Sequence, residues 1–279
     1  MLKTNKYIIN GSKKNKILID VCYNSNSLKK DIIIFSHGFK GFKDWGPFNL
    51  MSKSFANDGY FFVKFNFSHN GTTLDHPSDF VDLKSFGNNN FSLELDDLGL
   101  MIDWLHSDVD FKDEININTI NLLGHSRGGA ISILKADEDN RVTKVISWAA
   151  PSDFTNRMEQ SKLDTWKEKG VAYVFNSRTQ QNMPLYYQFY LDCINNSERI
   201  DIKRAASKLN KPLLIVHGTD DPTVLITDAY DFINCNKNTI LHEIKDANHV
   251  FGVMHPYNLD KYPNSFQEAI DVSSKFLKI

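Results

Sequence analysis

Unbroken apolar runs alternate with amphipathic stretches along this chain. Ile32 to Phe35 is apolar throughout and stops at His37-Gly38, so Asp31 to Ser36 reads as a strand buried on both faces. Ile17 to Cys22 reads as an earlier strand, and Tyr60 to Phe67, rich in aromatics, as a later one. Asn118 to Leu123, Lys144 to Ala149, Lys211 to Val216 and Thr239 to Ile244 continue the series. Helical periodicity falls between them: Pro47 to Asn57, closed by Gly59, then Phe91 to His106, a helix running to about Ala136, and Ser265 to Leu277. In Phe91 to His106 the residues Leu93, Leu98, Met101, Ile102 and Leu105 make one stripe, while Glu94, Asp96, Asp97 and Asp103 fall largely outside it.

Strands alternating with helices predict an α/β fold, a mostly parallel central sheet with helices on both faces. Two segments break the alternation. Ser68 to Asn90 has no clear period and is long for a connection; it is either a lid or a long surface loop. Ser152 to Asn210 is too long for a simple crossover and holds Phe154, Trp166, Tyr173, Phe175, Tyr186, Tyr187, Phe189 and Tyr190. It reads as an inserted cap of helices with a short hairpin near Val171 to Arg178. Its aromatics are expected mostly to pack the cap onto the body, with a few left to line a pocket. The expected division is a core of 1–151 and 211–279 with a cap of 152–210.

Composition narrows the class. The 279 residues are 41% hydrophobic and 24% charged with a net charge of -2, enough for a sizeable core and without the basic excess of a nucleic-acid binder. The three cysteines, Cys22, Cys193 and Cys235, are scattered and form no metal or redox motif. They predict reduced structural thiols in a cytoplasmic protein. No apolar stretch is long enough for a secretory signal or a membrane helix. The expectation is therefore no nucleic-acid partner, no membrane, no metal and no cofactor; the oligomeric state is not readable.

The candidate chemistry begins at Gly124-His125-Ser126-Arg127-Gly128-Gly129, which follows a strand and opens a helix. In such a turn a serine hydroxyl is exposed at the sheet edge, the glycines permit close approach of neighbouring elements, and the helix N-terminus favours negative charge. A Gly-x-Ser-x-Gly alone also occurs in structural turns, so the partners matter. Serine needs a base, and of nine histidines His249, in the loop after the strand Thr239 to Ile244, is best placed. His255 is the second choice, His242 lies within the strand, and His69, His76 and His106 read as surface or loop residues. An acid must hold the base, and Thr219-Asp220-Asp221-Pro222 follows the strand Lys211 to Val216. Asp221, three residues after Gly218, is preferred, which leaves Asp220 to bond turn amides. The order Ser126, Asp221, His249 completes the set. An oxyanion needs backbone donors, expected at the N–H groups of Phe39 and Arg127, with His37 ordering the loop.

With these pieces in this order the chain resembles the α/β-hydrolase superfamily over nearly its whole length. His37-Gly38-Phe39-Lys40-Gly41-Phe42-Lys43-Asp44-Trp45-Gly46 resembles the corresponding loop of cinnamoyl/feruloyl-esterase-like and dienelactone-hydrolase-like members. Phe65-Asn66-Phe67-Ser68-His69-Asn70-Gly71 resembles their Phe-Asp-Phe…Gly-His-Gly segment, with Asn66 in place of the usual Asp and His69-Asn70-Gly71 departing from Gly-His-Gly. The resemblance implies a serine carboxylesterase acting on a small-molecule ester, aromatic or short in its acyl group. Alternatives are a peptidase, acyl-aminoacyl hydrolase or thioesterase of the same fold, or a non-catalytic ligand-binding relative. A serine in this position argues against haloalkane dehalogenase or epoxide hydrolase chemistry, where the resemblance would require an aspartate.

Overall fold

The computed structural model describes residues 1–155 and 160–279. Part of the segment expected as a cap, 156–159, lies outside the described residues. In chain order the elements are β1 (Leu2–Asn10), β2 (Lys16–Asn24), β3 (Lys30–Ser36), α1 (Phe48–Asn57), β4 (Phe61–Phe65), α2 (Leu83–Gly87), α3 (Phe91–Leu105), β5 (Ile115–His125), α4 (Arg127–Glu138) and β6 (Val142–Trp148). Then follow α5 (Gln160–Lys169), β7 (Val171–Asn176), β8 (Gln181–Tyr186), α6 (Gln188–Asn195), α7 (Ile202–Lys208), β9 (Leu213–Gly218), α8 (Ile226–Cys235), β10 (Ile240–Ile244) and α9 (Asn264–Leu277).

Eight strands form one sheet in the order β1-β2-β4-β3-β5-β6-β9-β10. β1 pairs antiparallel with β2, and β2 with β4; every later pairing is parallel. The apolar runs form these strands because both faces are covered. Ile32 and Ile34 of β3 join the core under α3 and α4, while Ile33 and Phe35 join the core under α1 and α9. Such alternation within one run requires helices on both sides.

Three local expectations change. β1 extends over nine residues although only a short apolar run marks it. It is an exposed edge strand whose lysines and Asn10 face water, while Tyr7 and Ile9 pack inward and half-buried Asn5 donates to Tyr7 Oη at 3.3 Å. In α3, Glu94 and Asp97 are buried rather than on the solvent side. They are tolerated because they accept hydrogen bonds: Asp97 from the Ser12 and Ser68 amides at 2.9 and 2.8 Å, Glu94 from Asn89 Nδ2 at 2.7 Å. His69 is buried too, its Nδ1 2.7 Å from Ser68 Oγ.

The segment between β6 and β9 carries α5, the antiparallel β7–β8 hairpin, α6 and α7. Its Phe154, Trp166 and Phe189 pack into the core shared with α3 and α4, whereas Tyr173 and Phe175 point outward. The 68–90 stretch is a packed wall: Phe80 and Phe86 cluster with Phe42 and with Met183 of the hairpin.

The crossing of β3, β5 and α4 sets the tightest steric limit. A Cβ on Gly128 would lie 2.2 Å from the Ser36 carbonyl oxygen, and one on Gly124 2.1 Å from that of Gly128. Gly128→Ala should therefore cost about 3 kcal/mol or more and strongly lower the melting temperature or prevent folding. At Gly99 in α3 an added Cβ meets only the flexible end of Lys135 at 3.1 Å. Gly99→Ala should stay within about 1 kcal/mol of the parent protein. Thermal denaturation of the two variants side by side checks both expectations.

Candidate active site

Ser126 occupies the step from β5 to α4 with φ 57° and ψ −123°. A non-glycine residue at positive φ is held there by its surroundings. The Ser126 amide donates to Trp148 O at 2.7 Å, and Ser126 O accepts from Gly129 N at 2.9 Å. The hydroxyl is thereby turned away from the sheet, toward the loops above the strand ends.

Those loops deliver the expected partners. Ser126 Oγ lies 3.0 Å from His249 Nε2, and His249 Nδ1 lies 2.7 Å from Asp221 Oδ2. The pattern corresponds to Nδ1–H donating to the carboxylate and Nε2 accepting from the serine hydroxyl. Asp221 is buried, and its second oxygen accepts from the Thr223 and Val224 amides at 2.8 and 2.9 Å. Burial alone would raise this carboxyl, but hydrogen bonds from His217 and His249, with the Val224 amide, hold it well below the usual carboxylate range. The turn amides thus go to Asp221 rather than Asp220, whose Oδ1 accepts from Thr219 Oγ1 at 3.2 Å.

His125 also bears on the relay. Its Nε2–H donates to the His249 carbonyl at 2.8 Å, tying the His249 loop to the Ser126 turn. Of the other histidines, His255 accepts from the Gly46 amide through Nδ1 at 3.0 Å and stands outside the relay. His242 Nε2 meets Glu268 at 2.8 Å, and His76 and His106 are exposed.

Gly38 lies against the Ser126 side chain and Arg127 follows Ser126 in the chain, and neither the Phe39 nor the Arg127 amide has an acceptor among the described residues. Their side chains stack, with the Arg127 guanidinium carbon 4.1 Å from the Phe39 ring centre. Beneath them Arg127 reaches the buried Glu94 at 3.3 Å. Burial pushes the Glu94 carboxyl upward, against the opposing pull of Arg127 and Asn89. The Phe39 loop is anchored by a buried cluster. Lys43 Nζ reaches Asp20 and Asp44 at 2.6 Å each, and Lys64 Nζ reaches Asp20 at 2.9 Å and also contacts Asp44. Although burial disfavours the charged Asp44, the two lysines outweigh it and lower its pKa. Asn66 accepts from the Lys43 amide at 2.7 Å and donates to Thr72 Oγ1 and Pro77 O, both at 2.9 Å. An ionised aspartate could not donate those last two bonds, which accounts for asparagine there. His37 donates from Nδ1 to Gly38 O at 2.9 Å and accepts from the Phe67 amide at 3.4 Å, so it orders the loop.

Two cavities open from Ser126, and Phe39 borders both. One, of about 370 Å³, contains His249, Lys40, Arg178 and His255. The other, of about 330 Å³, contains Arg127, Phe91, Phe154 and Phe189. Glu94, the Asp20 cluster and Arg178 carry no separate signal in the chain, because each acts through contacts distant in sequence. No group of three or more His, Cys, Asp or Glu side chains is gathered as metal ligands among the described residues, and no helix among them is long and apolar enough to cross a membrane.

Three buried histidines make stability depend on pH. Burial is the first cause in each case, lowering His37 and His69 from the ordinary 6.5 to about 4, and His125 to about 3. Between those values and 6.5 the unfolded chain binds more protons than the folded one. Stability from these groups is full above pH of about 6.5 and falls as pH drops, by about 1.4 kcal/mol per pH unit for each proton difference. Melting temperatures between pH 7.5 and 5 should fall, with a shallower slope in His69→Gln.

No protein-family model matches the chain. A Mycoplasma genitalium protein named "Putative esterase/lipase 2" is 22% identical, over 85% of this chain and 88% of its own. Est1E from Butyrivibrio proteoclasticus, also solved with ferulic acid bound, superposes with a TM-score of 0.68 at 16% identity, covering 98% of this chain and 97% of that one. Dienelactone hydrolase from Anabaena variabilis gives 0.64 at 15% identity, covering 99% and 97%. The sheet order, the strand-to-helix step at Ser126 and these full-length superpositions make this chain an α/β-hydrolase fold.

Proposed function

We propose that the chain is a serine hydrolase that cleaves small-molecule carboxylic esters through an acyl-enzyme on Ser126. The observation that carries this reading is the continuous Ser126–His249–Asp221 contact at the junction of two cavities. The names of similar proteins support the broader assignment to esterases and lipases.

His249 Nε2 takes the hydroxyl proton as Ser126 Oγ attacks the ester carbonyl. Asp221 holds the imidazole and balances its charge. The Phe39 and Arg127 amides, close to the helix N-terminus, receive the oxyanion. Collapse of the tetrahedral species breaks the bond to the alcohol oxygen, which takes its proton from His249. Water then repeats the sequence on the acyl-enzyme. Every group these steps use belongs to the chain. The cavity lined by Phe91, Phe154, Phe189, Val174 and Leu185 suits an aromatic or short apolar acyl group. The ferulic acid held by Est1E is of that kind. A cytoplasmic location fits the free thiols of Cys22, Cys193 and Cys235.

Ser126→Ala should lower p-nitrophenyl ester turnover on the order of 10⁴-fold or more and abolish labelling by a fluorophosphonate probe, with little change in melting temperature. Asp221→Asn should reduce kcat on the order of 10³-fold or more by allowing the wrong tautomer of His249. A folded Ser126→Ala protein with parental turnover would rule the assignment out.

A further inference from the structure

The cavity beside His249 is chemically one-sided. Its lining includes Lys40, Arg178, Asn176 and His255 but no aspartate or glutamate. Arg178 is exposed, its guanidinium lies 5.3 and 5.5 Å from the Phe42 and Phe80 ring centres, and it forms no ion pair among the described residues. Burial against these rings lowers its pKa, and Asp79 opposes that from beyond contact distance. Lys40 Nζ donates to the Phe175 carbonyl at 3.2 Å rather than to an acid. Asn176 is buried, and its Oδ1 accepts from the Arg178 amide at 3.2 Å. Its Nδ2 is enclosed and has no partner among the described residues. The Arg178 side chain is exposed and has no counterion in contact among the described residues. An oxyanionic group bound against the guanidinium would supply that counterion.

The relay tells which arm of an ester enters this cavity. His249 must protonate the departing alcohol oxygen, and His249 lines this cavity but not the one walled by Phe91, Phe154 and Phe189. The leaving alcohol therefore extends toward Arg178, and the acyl group lies on the aromatic side.

We propose that Arg178, its backbone held by Asn176, forms a carboxylate subsite for the leaving group, so that the preferred substrates are acyl esters of hydroxy acids. This rests on the ester-hydrolase reading above. In the reaction the serine-to-acyl bond forms and the bond from the acyl carbon to the alcohol oxygen breaks. That oxygen receives the His249 proton, and the hydroxy acid leaves with its carboxylate unchanged. A guanidinium offers two parallel N–H donors to a carboxylate, which a neutral amide in the same place cannot match.

The test compares O-benzoylglycolate with O-benzoylglycolamide, esters of equal size differing in one charge, by kcat/KM for benzoate release from the full chain. The carboxylate ester should be preferred by about tenfold or more, and Arg178→Gln should bring that ratio close to one. Arg178→Lys should retain part of the preference, and Asn176→Asp, which puts a competing carboxylate at the subsite, should also lower it. Melting temperature and fluorophosphonate labelling report whether each variant is folded. Equal turnover of both esters by the parent protein overturns the subsite and leaves the ester-hydrolase reading standing. No turnover of either ester, with no labelling of Ser126, overturns both.

Discussion

The backbone of Ser126 is the constraint on which the site depends. Its φ of 57° and ψ of −123° cost about 1–3 kcal/mol, and the chain accepts that because four elements meet at the same point. Gly124, Gly128 and Gly129 leave no room for a side chain among Ser36, Ser147 and Ala150, so β3, β5, β6 and α4 lock together around the turn. The strain aims one hydroxyl out of the sheet edge and sets the first amide of α4 beside it. Once that point is fixed, the ends of β9 and β10 need only bring Asp221 and His249 over it. Asp220 N bonds to Ala247 O at 3.1 Å, and Thr219 N to Ile244 O at 3.0 Å, so the acid's turn and the base's loop are joined to each other.

The Phe39 loop is held differently. It has no strand partner and is anchored by buried charge. Asp20 on β2 and Lys64 on β4 meet Lys43 and Asp44 of the loop in a cluster with little exposure to water. Such a cluster gives little net stability relative to an apolar one, but removing one member costs about 3–5 kcal/mol because its partners remain charged and buried. Its value lies in geometry: the four charges fit together in only one loop position. The Glu94–Arg127 contact does the same from the opposite side, under the stacked Phe39 ring. The two expected oxyanion donors are therefore backbone groups, but side chains elsewhere in the sequence position them.

This division explains what could be read from the chain alone. The buried parallel strands were visible in Ile32 to Phe35 and in Asn118 to Leu123 because both faces demand apolar residues there. Ser126, Asp221 and His249 were readable because chain order and strand ends restrict where each can stand. β1 escaped because an exposed edge strand has no apolar alternation to reveal it. Glu94 and Asp97 were misplaced because helical periodicity cannot tell a buried acid with donors from a solvated one. The Asp20 cluster and Arg178 gave no signal, since their meaning arises only when residues distant in sequence are brought together.

The two cavities complete the physical picture because they share Ser126 and Phe39 but divide the rest of the machinery. Arg127 faces one and His249 the other. In the proposed reaction an ester carbonyl seated beside Ser126 places its two substituents in the two cavities, and proton delivery from His249 sets which substituent faces which. The aromatic wall contributed by Phe154 and Phe189 comes from the segment between β6 and β9, and so does Arg178 of its hairpin. One segment thus shapes both pockets, while the sheet beneath positions Ser126, Asp221 and His249 independently of it. The pocket walls and the strained turn are carried by different parts of the chain, so changes at Arg178 or Phe189 can reshape the pockets without disturbing the turn that holds Ser126.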